Sequence, residues 1–109
     1  MQQKFLGLIG LIAVLFVAPA CTEQPLAISL QLLAAEQHTV DGRQVVTQGV
    51  VRMFDDPLHY WIEDANLNRV GLQPAELVAD LVGEQVQVSG RFHVDPERGR
   101  WVDVVEVSR

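Results

Sequence analysis

Five short apolar runs with the period of a β-strand constrain this sequence more than any other feature. In the run from Val86 to Val94 every second residue is apolar or glycine, and the residues between them are polar. This period of two is typical of a strand with one buried face. The other runs span residues 44–54, 58–63, 69–73 and 101–107, and turn-forming Asp, Asn, Gly and Pro residues separate them. We therefore predict a mainly β domain.

The spacing of these runs predicts how the strands are arranged. Gly49 interrupts the first run, and such a glycine often marks the bend by which one strand serves both sides of a small barrel. Between the third and fourth runs, Pro74 suits the first residue of a helix that ends at Gly83. The predicted apolar face of this helix consists of Leu77, Val78, Leu81 and Val82. The order predicts a five-stranded OB-fold Greek-key barrel with one helix between strands three and four.

The first twenty residues have the pattern of an export signal. Residues 5–18 are uncharged and mostly apolar, and Lys4 precedes them. The run is shorter than the roughly 20 apolar residues that cross a bilayer. Small residues at Ala18 and Ala20 place the cleavage after Ala20. We predict a signal peptide helix over residues 1–20, a lipidated N-terminus and tether over 21–28, and the barrel domain over 29–109.

The start of that domain is ambiguous from sequence. Ser29 suits the N-cap of a short helix that reaches about His38, with Leu30, Leu33 and Ala34 at helical spacing. The segment also alternates Leu26, Ile28, Leu30 and Leu32, which is typical of a strand. Both alternatives stay open at this point.

The segment from Val17 to Cys21 resembles the lipobox of bacterial lipoproteins. This resemblance implies acyl chains on Cys21, which is the only cysteine and has no internal disulfide partner. Thr22, rather than Asp, follows the cysteine, and the resemblance then implies sorting to the outer membrane, facing the periplasm. We therefore expect a lipid-anchored protein of the cell envelope whose first partner is membrane lipid. The alternative is an ordinary secretion signal and a soluble periplasmic or secreted protein.

Three phrases of the barrel segment resemble the strands of small exported bacterial OB-fold proteins. They are residues 41–51, 60–64 and 82–92, and the resemblance extends over about residues 40–107. It implies an OB fold in a small exported lipoprotein. It implies no catalytic motif and no particular ligand, because this barrel carries many unrelated binding activities.

The candidate ligand face lies on the second and third predicted strands, where OB barrels usually bind. Their inward side chains are predicted to be Tyr60, Ile62, Val70 and Leu72. Alternation then directs outward His59, Trp61, Glu63, Arg69 and Gln73. The loops that frame this face contribute Asp55 and Asp56 on one side, and Asp95, Glu97 and Arg98 on the other.

The chemistry of these residues favours binding over catalysis. The sequence has no G-x-S-x-G, P-loop or HExxH motif, and its three histidines stand alone, so we predict no enzyme, metal or cofactor. Acidic loops beside an exposed Trp61 favour a cationic ligand, which would be a protein, a basic peptide or a cation. The plainer alternative treats these carboxylates as turn formers on an acidic surface.

Two other functions remain alternatives to this noncatalytic binding module. One is a structural accessory subunit that docks on a larger envelope complex. The other is binding of single-stranded nucleic acid or oligosaccharide. The net charge of −6 counts against nucleic acid, because an acidic protein repels a polyanion.

Overall fold

More than half of the residues that the computed structural model describes, residues 23–109, lie in six β-strands. These strands are β1 (Leu26–Ala27), β2 (Gln44–Asp55), β3 (Leu58–Glu63), β4 (Arg69–Gln73), β5 (Gln85–Asp95) and β6 (Gly99–Ser108). The prediction of a mainly β domain is confirmed. The predicted signal peptide, its cleavage site and Cys21 lie outside the described residues.

Five of the strands close into a barrel. Hydrogen bonding runs from β2 through β3, β4, β6 and β5 and returns to β2, and only the contact between β4 and β6 within this ring is parallel. Strand β2 makes closure possible because it pairs with β5 over residues 44–50 and with β3 over residues 50–55. Gly49 lies at this changeover, where a Cβ atom would come within 2.9 Å of the Glu63 carbonyl oxygen. The predicted role of Gly49 at the point of double pairing is confirmed.

The barrel interior is filled by alternate side chains of every strand. Phe92 and Ile62 are among the largest fully buried side chains. The four residues predicted to point inward, Tyr60, Ile62, Val70 and Leu72, are all buried. Thr47 is the buried polar exception, and its Oγ1 has no hydrogen-bond partner within residues 23–109.

The segment before the barrel is helical and is anchored to β2. Helix α1 (Leu30–Ala35) begins after Ser29, whose Oγ accepts a hydrogen bond from the Leu32 amide at 3.1 Å, and α2 (Gln37–Val40) follows. Leu30 and Leu33 are buried in the core. Upstream, β1 pairs in parallel with β2, and the Gln44 amide donates to the Glu23 carboxylate at 3.0 Å. The chain is therefore attached to the barrel from Glu23 onward.

The prediction of one amphipathic helix between the third and fourth barrel strands is wrong. The segment forms two short 3₁₀ turns, Ala75–Leu77 and Ala79–Leu81. Val78 separates them with φ −126° and ψ −6°, which is not helical, and its side chain is fully buried. Leu77 and Val82 are exposed, so the apolar face that the pattern predicted does not form. The segment is too short for helical hydrogen bonds to outweigh the anchoring of Val78 in the core.

The helices of residues 23–109 are few and short. None of them is long and apolar enough to cross a membrane. Helix α1 packs against the barrel, where it contacts β2 and β4.

Candidate functional site

A row of four cross-strand partners runs over the outside of the barrel. Trp61 on β3 lies opposite Gly71 on β4, Gly71 lies opposite Trp101 on β6, and Trp101 lies opposite His93 on β5. Neighbouring strands are about 4.8 Å apart, so the two tryptophan backbones are about 10 Å apart across the glycine. A shallow groove of about 330 Å³ lies here, lined by His59, Trp61, Arg69, Gly71, Arg98, Gly99 and Arg100. We call it the tryptophan groove.

Trp61 is held on one side of the groove by polar and aromatic contacts. Its indole Nε1 donates to Glu63 Oε1 at 2.9 Å, and the His59 ring stacks on it with centroids 5.1 Å apart. The Arg69 guanidinium carbon lies 5.0 Å from the indole centroid, a cation–π distance. Arg69 and Arg52 also approach the Glu63 carboxylate, at 3.6 and 3.3 Å. These contacts fix the orientation of the indole.

Trp101 is held in the same way on the other side. Its Nε1 donates to Asp103 Oδ1 at 3.2 Å, and the His93 ring stacks on it with centroids 5.0 Å apart. The Arg98 guanidinium carbon lies 3.7 Å from the indole centroid. The Gln73 amide joins the parts of this cluster, because it donates to Asp103 at 2.7 Å and accepts from Arg98 at 2.9 Å.

The two clusters have the same composition. Each contains a tryptophan whose indole N–H is bound by the carboxylate two residues later, a histidine stacked on the indole and an arginine placed over it. The indole N–H groups and the ring surfaces beside the histidine and the arginine are therefore already in contact with other side chains of the protein. These contacts make the two tryptophans fixed parts of the outer surface of the barrel.

Arginines are the permanently charged residues that line the groove, although the protein as a whole is acidic. Three of the lining residues are arginines and none is a carboxylate. Arg98 and Arg100 have no carboxylate within 4.0 Å anywhere in the described chain, whereas Arg69 is paired with Glu63. Arg100 Nη1 and Nη2 donate instead to neutral oxygens, Gln37 Oε1 at 3.3 Å and the Arg69 carbonyl at 3.2 Å. Its Nε is buried without a partner in residues 23–109.

The structure places the predicted site residues in two groups. His59, Trp61 and Arg69 line the groove, and Glu63 and Gln73 bind its side chains from the same face. The acidic loop residues Asp55, Asp56, Asp95 and Glu97 do not line it. Asp95 Oδ1 accepts hydrogen bonds from the amides of Glu97 and Arg98 at 2.9 and 2.6 Å. Asp95 thus shapes the β5–β6 turn, which carries Arg98 to the groove.

Sequence reasoning missed most of the second cluster. Trp101, His93 and Asp103 were not among the predicted site residues, although they form its centre. Of the residues that line the groove, Gly71, Gly99 and Arg100 were also not predicted. A signal for the second cluster exists in the repeated phrase of tryptophan, aliphatic residue and acid at Trp61-Ile62-Glu63 and Trp101-Val102-Asp103. In each phrase the tryptophan and the acid are two residues apart and point outward from the same strand, so the acid can accept a hydrogen bond from the indole N–H.

A larger open groove of about 720 Å³ runs beside β2, between β1 and β3. Its lining includes the uncharged residues Gln48, Gln85 and Gln87, and also Arg52, Glu63 and Asp64. The aromatic and unpaired cationic groups are concentrated in the smaller groove. We therefore assign the candidate site by its chemistry and not by its volume.

Hydrogen bonds lower the pKa of both carboxyl groups that hold the indoles. The Trp61 indole N–H is the main reason that the pKa of Glu63 lies below its ordinary value of 4.5, and Arg52 and Arg69 lower it further. The Gln73 amide does most to keep the pKa of Asp103 below its ordinary value of 3.8, helped by His93 and Trp101. Partial burial opposes both effects. The folded protein therefore favours both groups as carboxylates.

These lowered pKa values predict a loss of stability in acid. A depressed folded-state pKa contributes stability above the unfolded value, and the contribution is lost as the pH falls through the folded value. The urea midpoint is therefore expected to decline as the pH is lowered from about 4.5. The double variant Glu63→Gln with Asp103→Asn should show a shallower decline over the same range. An equally steep decline in the variant would show that these two groups are not responsible.

No family model matches the chain, and no curated protein matches it. Within residues 23–109, no group of three or more His, Cys, Asp or Glu side chains is arranged to hold a metal ion.

Proposed function

We propose that this protein is a noncatalytic binding module built on an OB-type barrel, with the tryptophan groove as its ligand site. The single observation that carries the proposal is the pair of matched tryptophan clusters on either side of Gly71. A glycine between two fixed aromatic side chains leaves the backbone open to a ligand at the centre of the face. The groove lies mainly on β3 and β4, the second and third strands of the barrel, where OB barrels usually bind.

The lining of the groove supports binding without chemistry. His59 is the one lining side chain of a type that commonly acts as a general base, and its Nδ1 lies 2.7 Å from the Pro57 carbonyl oxygen while its ring stacks on Trp61. The lining includes no serine, threonine, cysteine or carboxylate, and the neighbouring carboxylates are bound to indole N–H groups. Fixed aromatic and polar side chains are the usual composition of a small-molecule site.

We also propose export and lipid attachment at Cys21, on the evidence of the lipobox-like segment. Glu23 is bound to the Gln44 amide, so only Thr22 would separate a lipidated Cys21 from the first anchored residue. The barrel would then lie close to the membrane surface. The groove would face solutes or proteins of the cell envelope.

The sequence favours a cationic ligand, but the residues that suggested it are not the residues that line this groove. That prediction was drawn from the acidic loops, and their carboxylates do not line the groove. The acidic loops therefore do not indicate the charge of a ligand that binds in the groove.

Crosslinking in living cells tests the proposed site, because a photoreactive side chain captures whichever molecule binds beside it. A photoreactive amino acid at position 59, which lines the groove, is expected to capture a defined species. The matched control is position 105 on β6, where Val105 is 72% exposed and does not line the groove. Capture at position 59 that does not exceed capture at position 105 would contradict the proposal.

A second candidate function is docking on a larger envelope protein as an accessory subunit. The observation that favours it is the end of the β2–β3 hairpin, where Met53 and Leu58 share one face and are 38 and 57% exposed. Phe54 is on the other face, with its ring 6.1 Å from that of His59. Exposed apolar side chains that cluster in this way often mark protein contacts. Side chains alternate along a strand, so Leu58 and His59 point to opposite faces of the hairpin. Capture of a protein from position 58, with none from position 59, would support docking over the groove site.

A further inference from the structure

Exposed apolar side chains are concentrated at the end of the barrel where the β2–β3 hairpin turns. Eight large apolar residues are exposed within residues 23–109. Four of them lie on the barrel side of the hairpin or in the 3₁₀ segment between β4 and β5. They are Met53, Leu58, Leu77 and Val82, which are 38, 57, 42 and 45% exposed. We call this set the end patch.

The two hairpin residues of the end patch share one face. Met53 lies opposite Tyr60 and Asp55 lies opposite Leu58, so Met53 and Leu58 are on the same side of the hairpin as Tyr60. Tyr60 is buried in the core, and this face therefore continues the inner wall of the barrel. It is exposed at Met53 and Leu58 because β5 pairs with β2 only over residues 44–50.

The 3₁₀ segment lies beside the part of β2 that β5 leaves uncovered. The Gly83 amide donates to the Val51 carbonyl at 2.8 Å, which places Val82 next to this half of β2. Val78 anchors the segment because its side chain is fully buried in the core. Leu77 and Val82, on either side of Val78, stay exposed at the same end of the barrel.

Carboxylates without an ion-pair partner accompany these apolar side chains. The hairpin turn and the 3₁₀ segment contain four exposed acidic residues that have no basic group within 4.0 Å in residues 23–109, namely Asp55, Asp56, Glu76 and Asp80. Residues 53–58 and 74–83 include no lysine, arginine or histidine. The end patch therefore combines exposed apolar surface with four uncompensated negative charges.

This charge decides which kind of partner suits the end patch. A second copy of the chain would bring like charges together, and the anionic lipids of a membrane surface would also be repelled. A protein with lysine or arginine beside its own apolar residues would cover the apolar side chains and neutralise the carboxylates. Charge complementarity thus favours a basic protein segment over another copy or a lipid surface.

We infer that the end patch docks an envelope protein through an apolar segment flanked by lysine or arginine side chains. The inference rests on docking, the second candidate function, and deepens it by naming the chemistry of the partner. It assigns the cationic partner expected from Asp55 and Asp56 to the end patch. The end patch shares no residue with the tryptophan groove, so the groove proposal does not depend on it.

Photocrosslinking in living cells tests this inference when mass spectrometry identifies the captured segment. A photoreactive amino acid at position 58 of the full chain is expected to capture one protein. The captured segment should carry apolar residues beside lysine or arginine. The control is position 32 on α1, where Leu32 is 50% exposed and lies outside the end patch. Capture at position 58 should exceed capture at position 32.

Paired charge variants test the role of the carboxylates. Asp55→Asn combined with Asp56→Asn should reduce capture at position 58 by about 3- to 10-fold, because two exposed ionic contacts are lost. Glu36→Gln combined with Glu97→Gln is the matched control, since it removes the same charge from the end of α1 and from the β5–β6 turn. This control should leave capture unchanged.

A second pair of variants tests the apolar contact. Leu77→Ser should reduce capture at position 58, because it removes apolar surface that the partner would cover. Leu32→Ser is the control, since it removes the same side chain at a similar exposure outside the end patch. Urea midpoints close to that of the unmodified protein would show that the variants are folded. Glu76→Gln with Asp80→Asn serves if the first charge variant does not fold.

The outcomes separate the inference from docking itself. Capture of a protein segment without lysine or arginine would overturn the basic partner and leave docking. Capture that the charge variants leave unchanged would do the same. A second copy of the chain or a lipid as the captured species would overturn both the inference and docking on an envelope protein. Capture at position 58 that does not exceed position 32 would also overturn both, while position 59 tests the groove separately.

Discussion

Replacement of Phe92 by alanine is expected to destabilise the protein by about 3–5 kcal/mol. Phe92 on β5 is fully buried and is among the largest side chains in the core. The loss has two parts, which are the transfer free energy of the ring and the cavity left where the barrel walls cannot collapse. Domains are stable by about 5–15 kcal/mol and small ones have little in reserve, so much of the margin would be lost.

Urea unfolding followed by circular dichroism measures this effect, and the chain offers a matched control. Phe54→Ala removes the same ring from a position that is 53% exposed, and is expected to cost under about 1 kcal/mol. A difference between the two variants of less than about 1 kcal/mol would contradict the placement of Phe92 in the closed interior.

Replacement of Gly90 by alanine is expected to cost about 3 kcal/mol or more, which is at the upper end for overpacking. A Cβ atom here would overlap the Asp103 carbonyl oxygen and come within 2.8 Å of the Asp103 carbonyl carbon. Both atoms belong to the backbone of β6, so no side-chain rotation relieves the contact. Gly90 also borders the irregularity in the β5–β6 register, where the two strands approach without a side chain between them.

Alanine replacements of Gly49 and Gly71 supply the controls for this prediction. The nearest backbone contact of an added Cβ lengthens to 2.9 Å at Gly49 and to 3.2 Å at Gly71, so the loss of stability should fall in the order Gly90, Gly49, Gly71. Thermal unfolding of the three alanine variants measures this order. A variant of Gly90 that is as stable as that of Gly71 would show that β5 and β6 do not approach as closely as described.

Gly90 and Asp103 connect stability to the candidate site. The backbone of Asp103 packs against Gly90, while its side chain accepts hydrogen bonds from Gln73 and Trp101 on the outer face. A shift of β6 would therefore move one wall of the tryptophan groove. We expect the Gly90→Ala variant to lose order at Trp101 as well as stability.

Much of the local structure could be predicted from the residues themselves. The period of two in β5 and the break at Gly49 depend on neighbouring residues, because backbone geometry determines which side chains share a face. The segment after Ser29 was left open between helix and strand, and the structure shows a helix. The same reasoning placed Trp61 on the outer face of β3. It did not predict the 3₁₀ turns after Pro74, since burial of Val78 overrides a helical pattern of that length.

By itself the sequence determined the strands, their inward and outward faces, and the acidic balance of the chain. Only the tertiary structure brought Trp101 level with Trp61, because that alignment depends on the parallel pairing of β4 with β6, strands that β5 separates in the chain. It also placed the Arg98 guanidinium over Trp101 and bonded it to Gln73 of β4. Periodicity is set by bonds between neighbours, whereas register between distant strands is set by closure of the whole barrel.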